Sequence, residues 1–266
     1  MMRRFYSIFI TALLLCSFAI SCRTQGTPTV DKILERGTLL VGTTGDYRPL
    51  SYKEPETGRY WGFGIDMAGE MAKELGMRIS FVPTSWPTLS ADVQQPELFD
   101  FAIGGITITD ARLETMDMSE GYLCNGKTIL CRASEAGKYR TIEDLNKPEV
   151  RVMVNPGGLN EKFAREKLTE CTLIVYEKNE EIPSKVAAGE ADIMITEITE
   201  APWYVRNDSR LAAPLLDSPF THGQIGVLMQ KGREDLMERV NRTIREMKAD
   251  GRLKKLHEKY GLVYGY

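Results

Sequence analysis

Two acidic residues, Glu197 and Glu200, stand three positions apart directly after the apolar segment ADIMIT. If a helix begins after Thr196, residues three apart lie on one face and bring the two carboxylates together. Like charges in a closing cleft, together with loss of water, raise the pKa of one carboxyl and keep it protonated at neutral pH. Such a pair can supply a general acid. Alternatively, both acids complement the dipole of a first helical turn.

An arginine and a glycine-rich turn have the chemistry to bind an anion. Arg112 follows GGITITDA, and its planar guanidinium matches a carboxylate, although the spacing fits a surface arginine in a charged loop equally well. Gly157 and Gly158 lead from an apolar strand into a helix that opens with Asn160, where backbone N–H groups form an anion cradle. An ordinary strand-to-helix turn explains the same pattern.

Three more residues lie at predicted strand ends or loops. Trp86 precedes Pro87, which favours a loop where the indole can stack on a six-membered ring; a core position is the alternative. Asp46 closes the loop after the first strand, either at the site or as a turn residue. Lys127 opens a predicted strand, either solvated or in contact with a substrate carboxylate.

Alternating strands and helices must position these residues. TLLVGTT (38–44) and RISFVPT (78–84) have the composition of strands, and GIDMAGEMAKELG (64–76) between them has helical spacing. A second round runs from RVMVN (151–155) to ADIMIT (191–196). The alternation predicts two α/β lobes, each with a parallel sheet covered on both faces.

The C-terminal region is predicted to be a strand followed by two helices. GQIGVLMQKG (223–232) reads as one strand, and the amphipathic sequence after it is broken at Asp250-Gly251. Four apolar residues at helical spacing predict a packing stripe: Leu236, Val240, Ile244 and Met247.

Four features of the sequence carry a resemblance: the order of elements, the segment GGITIT..R, the helix-strand segment AAGEADIMIT and the terminal MKADGRLKKLHEKYG. Together they resemble the periplasmic amino-acid-binding proteins of ABC transporters. The resemblance covers essentially the whole mature chain. It implies a two-lobed periplasmic binding protein-like α/β fold of type II, with a mostly parallel sheet in each lobe, two hinge strands and a small-molecule ligand between the lobes. Lobe 1 is predicted at 38–131 plus 225–266, and lobe 2 at 132–224.

Within that fold, five segments give a narrower match: TTGDYRPLSY, VPTSWPTL, GKT, VNPGGLNEKFAR and TEITEA. These segments are similar to cyclohexadienyl dehydratases. Those exported enzymes arose on the binding-protein fold and convert prephenate or arogenate to phenylpyruvate or phenylalanine. This chain departs from the family at Glu197, where Asp is usual, so the carboxylate reaches one methylene further.

The resemblance implies a role for each candidate residue. Arg112 holds the substrate carboxylate, helped by Thr107 and the Gly105 backbone, and Trp86 lies against the substrate ring. Glu200 is the general acid, and Glu197 is its partner and a contact for an amino group. No metal or organic cofactor is implied. The alternative is a non-catalytic amino-acid receptor that serves an ABC permease, although the Glu200 position is typically not acidic in such receptors.

The first residues, MMRRFYSIFITALLLCSFAIS, predict a signal peptide at 1–21 and a periplasmic location. The sequence before Cys22 resembles a lipoprotein box, so either lipidation of Cys22 or ordinary cleavage follows. Removal of 1–21 takes away Arg3 and Arg4 and no acid, which moves the net charge from −3 to −5. That charge argues against a nucleic-acid partner.

The remaining cysteines and histidines predict neither a disulfide framework nor a metal site. Cys124, Cys131 and Cys171 are an odd set in an oxidising compartment. His222 and His257 are far apart, and no cysteine or histidine lies at ligand spacing beside them.

Overall fold

Two five-stranded sheets with helices around them dominate the computed structural model, which describes residues 29–263. The predicted signal peptide, Cys22 and the last three residues lie outside the described part. Among residues 29–263, no helix combines the length and apolar character needed to cross a membrane.

The strands are β1 (Thr38–Thr43), β2 (Asp46–Tyr47), β3 (Ser51–Lys53), β4 (Tyr60–Trp61), β5 (Arg78–Pro83), β6 (Phe101–Ala102), β7 (Met116–Met118), β8 (Leu123–Asn125), β9 (Lys127–Arg132), β10 (Arg151–Val154), β11 (Thr172–Val175), β12 (Ile193–Glu197), β13 (Leu211–Ala212), β14 (Gly223–Ile225) and β15 (Leu228–Gln230). The α-helices are α1 (Thr29–Arg36), α2 (Phe63–Glu74), α3 (Leu89–Val93), α4 (Asp110–Thr115), α5 (Ile142–Leu145), α6 (Leu159–Lys167), α7 (Ile182–Ala187), α8 (Ala201–Asn207), α9 (Glu234–Ala249) and α10 (Arg252–Tyr260). Short 3-10 helices lie at Ala133–Glu135 and Asn179–Glu181.

The first lobe is built on the sheet β5-β1-β6-β15-β7. Strand β1 is parallel to β5 and β6, whereas β15 is antiparallel to β6 and β7. The second lobe is built on β11-β10-β12-β9-β13, in which β10 is parallel to its neighbours and β9 is antiparallel to its own. Four of the five strands in each sheet run in one direction, and one strand runs against them, β15 in the first sheet and β9 in the second. Each sheet is therefore mostly parallel, as predicted.

The chain passes between the lobes twice. Strand β8 leads directly into β9, and β14 pairs antiparallel with β8 on the way back. The amide of Phe220 donates to the Lys127 carbonyl oxygen at 2.8 Å, which ties the two crossings together. Strand β9 pairs with β12 from Lys127 to Cys131. The prediction that lobe 1 extends to residue 131 is thus wrong, because the whole ladder of β9 lies in the second sheet.

Alternation along the strands places apolar side chains on both faces of the second sheet. Ile129 and Cys131 pack into one apolar cluster, while Leu130 between them packs into another. In β10, Val152 and Val154 face the first of these clusters and Met153 faces the second. Period-2 alternation with apolar residues on both sides is the pattern of a sheet that is covered on both faces.

The C-terminal helices cover the first lobe. Their predicted stripe is buried, with Leu236, Val240, Ile244 and Met247 all in the first-lobe core. The predicted break is confirmed at Gly251, whose φ of 81° starts α10. The predicted strand at 223–232 is instead two strands, because β14 pairs with β8 and β15 pairs within the first sheet.

Candidate functional site

A small cavity lies between the lobes. Residues of both lobes line it: Tyr47, Trp86, Gly105, Thr107, Arg112, Lys127, Asn155, Gly158, Leu159, Asn160, Asn179 and Glu197. Most of the residues that the sequence nominated therefore share one cavity wall. Three nominated residues, Asp46, Gly157 and Glu200, do not line it.

Strand ends position these side chains. Tyr47 follows β1 and Trp86 follows β5, while Asn155 follows β10 and Glu197 ends β12. The carboxyl ends of parallel strands meet at one edge of a sheet, and loops there hold ligands in open α/β sheets. Lys127 arrives at the same edge because β9 is antiparallel and begins where β12 ends.

Lys127, Glu197 and Asn160 form a buried charged cluster. The Lys127 Nζ atom lies 2.5 Å from Glu197 Oε1 and 2.6 Å from Asn160 Oδ1. The Tyr47 hydroxyl donates to Glu197 Oε2 across the cleft. Burial alone would raise the pKa of Glu197, but the Lys127 ammonium and these hydrogen bonds hold it below its usual value. Glu197 is therefore an ionised carboxylate. Lys127 is not solvated, and its ammonium is already paired with Glu197 rather than available to a substrate carboxylate.

Glu200 is a fully buried carboxyl group. Its Oε2 accepts from the Thr196 hydroxyl at 2.5 Å, and its Oε1 accepts from Asn179 Nδ2 at 2.8 Å. Burial, and next the charge of Glu197, raise the pKa of Glu200 to about 8, although the bonds from Thr196 and Asn179 lower it. Glu200 therefore holds its proton at neutral pH.

The predicted geometry of the two acids is wrong, although their separate ionisation agrees with the prediction. Glu197 is the last residue of β12, and Glu200 is the N-cap of α8, so no helical face carries both. A turn connects them, closed by the Glu200 amide and the Glu197 carbonyl oxygen at 3.0 Å. The strand continues to Glu197 because its ladder with β9 extends to the Glu197–Lys127 pair.

The raised pKa of Glu200 predicts that the stability of the protein depends on pH, which can be measured without a substrate. Between the ordinary value of 4.5 and about 8, folded Glu200 holds a proton that the unfolded chain has lost. Its contribution to the free energy of unfolding is thus complete below about pH 4.5 and lost as pH rises through about 8. We expect Glu200→Gln to gain stability relative to the parent over that window, by up to a few kcal/mol in urea unfolding. The control is Glu190→Gln, at an exposed position. If the free energies of unfolding of Glu200→Gln and the parent differ by the same amount at every pH, the raised pKa of Glu200 is contradicted.

Arg112 is a half-buried cation at the cavity wall. Among residues 29–263, its guanidinium makes one hydrogen bond, from Nη1 to the Thr107 carbonyl oxygen at 2.5 Å, and no ion pair. Burial lowers its pKa, and the charge of Glu197 opposes that shift. A partly desolvated guanidinium with unused N–H donors suits a carboxylate ligand.

The glycine turn is only partly available as an anion cradle. The Gly157 amide donates to Glu161 Oε2 at 2.6 Å, so this part of the predicted cradle is already occupied. Gly157 instead allows a close approach between the lobes, because its φ is +74° and an added Cβ would lie 2.5 Å from Pro87 Cα. Gly158 lines the cavity as the N-cap of α6, and Asn160 contributes through its contact with Lys127.

Trp86 lies in the loop after β5, as predicted, and is half-buried. Its ring meets the Tyr47 ring edge-on at 5.8 Å between centroids, and its Nε1 donates to Asp46 Oδ1 at 3.1 Å. Asp46 therefore orients the indole rather than lining the cavity. Burial raises the pKa of Asp46, against the hydrogen bond from Trp86.

If a six-membered substrate ring stacks on this indole, we expect Trp86→Leu to fold but to lose roughly tenfold in kcat/KM, because the stacking is lost. The free energy of unfolding should fall by no more than about 2 kcal/mol, since the half-buried indole packs only partly against the first-lobe core. Trp86→Phe, which keeps a ring, is the control. A large loss of stability with normal activity would make Trp86 a core residue.

Several lining residues were missed from the sequence: Tyr47, Asn155, Leu159 and Asn179. Tyr47 is the neighbour of the predicted Asp46, and Tyr47 rather than Asp46 lines the cavity. Asn179 carries no local signal, because it sits among charged residues in EKNEE. Its position follows only from the 3-10 helix that brings it beside Glu200.

Among residues 29–263, no group of three or more His, Cys, Asp or Glu side chains is arranged to hold a metal ion. No disulfide joins Cys124, Cys131 and Cys171.

Several known proteins are similar to this chain. A cyclohexadienyl dehydratase of Pseudomonas aeruginosa is 40% identical over 202 residues, covering 76% of this chain and 75% of the relative. An L-cystine-binding protein of Escherichia coli is 31% identical and covers 87% of this chain and 85% of its own. An ancestral amino acid-binding protein, a precursor of cyclohexadienyl dehydratase, matches with TM-score 0.80 and 39% identity over 88% of this chain and 99% of its own.

A crystal structure of an ancestral cyclohexadienyl dehydratase matches with TM-score 0.54 and 50% identity over 87% of this chain and 95% of its own. These relatives confirm the resemblance and the two-lobed fold that the sequence predicted. The model for bacterial extracellular solute-binding proteins, family 3, matches residues 39–263, and the chain belongs to that family.

Proposed function

We propose that this protein is a periplasmic cyclohexadienyl dehydratase that converts prephenate to phenylpyruvate. The observation that carries the proposal is Glu200, a fully buried carboxylic acid three residues from the ionised Glu197. A protein that only binds its ligand does not need a neutral buried acid beside a charged one. An enzyme that donates a proton does need one, because a general acid works best with a pKa near the working pH.

The proposed reaction needs only positioning and one proton. The bond between the ring and its carboxylate breaks, carbon dioxide leaves, and the released electron pair enters the ring. The ring expels its hydroxyl group, which leaves as water with a proton from Glu200. Glu200 is left as a carboxylate and regains a proton from solvent. Arg112 holds the side-chain carboxylate and Trp86 orients the ring.

The charged cluster favours prephenate over arogenate. An amino group on the substrate would need a carboxylate partner, and Glu197 is the acid that lines the cavity. Lys127 already neutralises it at 2.5 Å. The ammonium group of arogenate would have to displace the Lys127 ammonium from Glu197. Lys127 would then be a buried charge without its partner, which costs free energy. Prephenate carries a keto group there and makes no such demand.

The alternative function is an amino-acid receptor, which the similarity to an L-cystine-binding protein favours. The same ion pair argues against it, because an amino acid carries an ammonium group. The closing motion of a receptor would still suit the enzyme, since closure excludes water from the reacting groups.

The position of Glu200 sets a requirement on the substrate. Its carboxyl does not line the cavity, but it contacts Asn179, which does. The ring hydroxyl must therefore enter beside Asn179 to receive the proton.

The test is to mix the chain without residues 1–21 with prephenate and follow phenylpyruvate by absorbance, with arogenate in parallel. Calorimetry with arginine, glutamine and cystine tests the receptor. The proposal expects turnover of prephenate, slower turnover of arogenate, and no tight amino-acid binding. Tight binding of an amino acid without turnover of either cyclohexadienyl compound would establish the receptor.

A further inference from the structure

Asn179 lines the cavity, and its side-chain amide has an unused acceptor. Asn179 is 2% exposed and lines the cavity, and its Oδ1 is buried without a hydrogen-bond partner among residues 29–263. A buried carbonyl oxygen without a donor is costly, so nearly all such groups in proteins have a partner. A ligand in the cavity is the natural source of that donor.

The orientation of this amide is fixed by its neighbours. Nδ2 donates to the Asp46 carbonyl oxygen at 3.1 Å and to Glu200 Oε1 at 2.8 Å. A backbone carbonyl can only accept, so rotating the amide would set two acceptors against each other. Nδ2 therefore bridges the two lobes, and Oδ1 is left for the ligand.

We propose that Asn179 Oδ1 accepts the hydrogen bond donated by the departing ring hydroxyl, an assignment that rests on the proposed dehydratase function. A hydroxyl has one hydrogen to donate and two lone pairs. To be protonated by Glu200, it must turn a lone pair toward the acid and point its own hydrogen elsewhere. Asn179 contacts Glu200 and lines the cavity, and its Oδ1 supplies the acceptor that this geometry needs.

The contact also separates substrate from product. Phenylpyruvate has lost the ring hydroxyl, so it cannot donate to Asn179 Oδ1. The bond is present for the substrate and absent for the product. Asn179 should thus affect turnover of prephenate without affecting the binding of phenylpyruvate.

Two substitutions of similar size test the assignment. Asn179→Leu removes the acceptor, whereas Asn179→Gln keeps an amide with both its acceptor and its donors. Asn241→Leu is the matched control, because Asn241 Oδ1 accepts from the Glu120 amide at 2.8 Å outside the cleft. All are assayed at about pH 6, where Glu200 keeps its proton, with phenylpyruvate as a product inhibitor. Asn179→Ala replaces the leucine variant if thermal unfolding shows that the latter does not fold.

We expect Asn179→Leu to lose roughly ten- to hundred-fold in kcat/KM for prephenate, with the inhibition constant of phenylpyruvate within about threefold of the parent. Asn179→Gln should retain more turnover than the leucine variant. Equal losses in turnover and phenylpyruvate binding would overturn the assignment, as would equal impairment of the glutamine and leucine variants. If the parent converts prephenate and Asn179→Leu converts it equally well, only this assignment is contradicted. If the parent does not convert prephenate, the proposed function is contradicted as well.

Discussion

Glu200→Gln is expected to lower kcat for prephenate roughly a hundred- to ten-thousand-fold, the usual contribution of a general acid. Glutamine keeps the size of the side chain and its contacts with Thr196 and Asn179, but it has no carboxylic proton to donate. Binding of phenylpyruvate should change little, because Arg112 and Trp86 remain in place. The loss should therefore fall on kcat rather than on ligand affinity.

The control for this variant is Glu190→Gln, which removes an exposed carboxylate of the same lobe that is paired with Lys185. It should leave both kinetic constants unchanged. Turnover by Glu200→Gln within a few-fold of the parent would exclude the acid role, whatever the inhibitor affinity.

Arg112→Ala is expected to lower kcat/KM for prephenate by roughly 30-fold to 3,000-fold, as for loss of one partner of a desolvated charge pair. Within residues 29–263 the guanidinium has no ion pair of its own, so the substrate carboxylate would be its main anionic partner. Phenylpyruvate keeps the side-chain carboxylate, and its inhibition constant should rise by a similar factor. This response separates Arg112 from Glu200 and Asn179, which should affect turnover alone.

Arg112→Lys tests the shape of the contact, since it keeps the charge but not the planar fork and should recover only part of the loss. Arg245→Ala is the matched control, because Arg245 is exposed and pairs with Glu120 and Glu238, and none of these three residues lines the cavity. Near-normal phenylpyruvate binding in Arg112→Ala would remove this residue from the site.

Local sequence patterns predicted the regular elements, and the resemblance implied two hinge strands, but the sheet that the first of them joins was predicted wrongly. The helix predicted at 64–76 is observed at Phe63–Glu74, and the first strand ends at Thr43, because periodicity and stop signals are local. Whether β9 belongs to the first or second sheet depends on its partner β12, more than 60 residues away along the chain. Pairing over such distances leaves no mark on the spacing of apolar residues.

The same limit applies to the site. The types and spacing of Glu197 and Glu200 correctly suggested two acids with different ionisation, but not that one ends a strand and the other caps a helix. The Lys127–Glu197 ion pair depends on the register of β9 and β12, and that register brings Lys127 out of solvent. Asn179 could not be found from its sequence neighbours, because its role depends on a contact with Glu200.

The pH dependence of kcat/KM for prephenate tests the role of Glu200 most directly, because it reports the free enzyme's essential acid. Glu200 must be protonated to donate, and its pKa is raised to about 8. In the parent, kcat/KM should be level below about pH 7 and fall about tenfold per pH unit above about pH 8, whereas the residual activity of Glu200→Gln should lack this limb. A parent profile that stays level or rises between about pH 7 and pH 10 would contradict Glu200 as the proton donor.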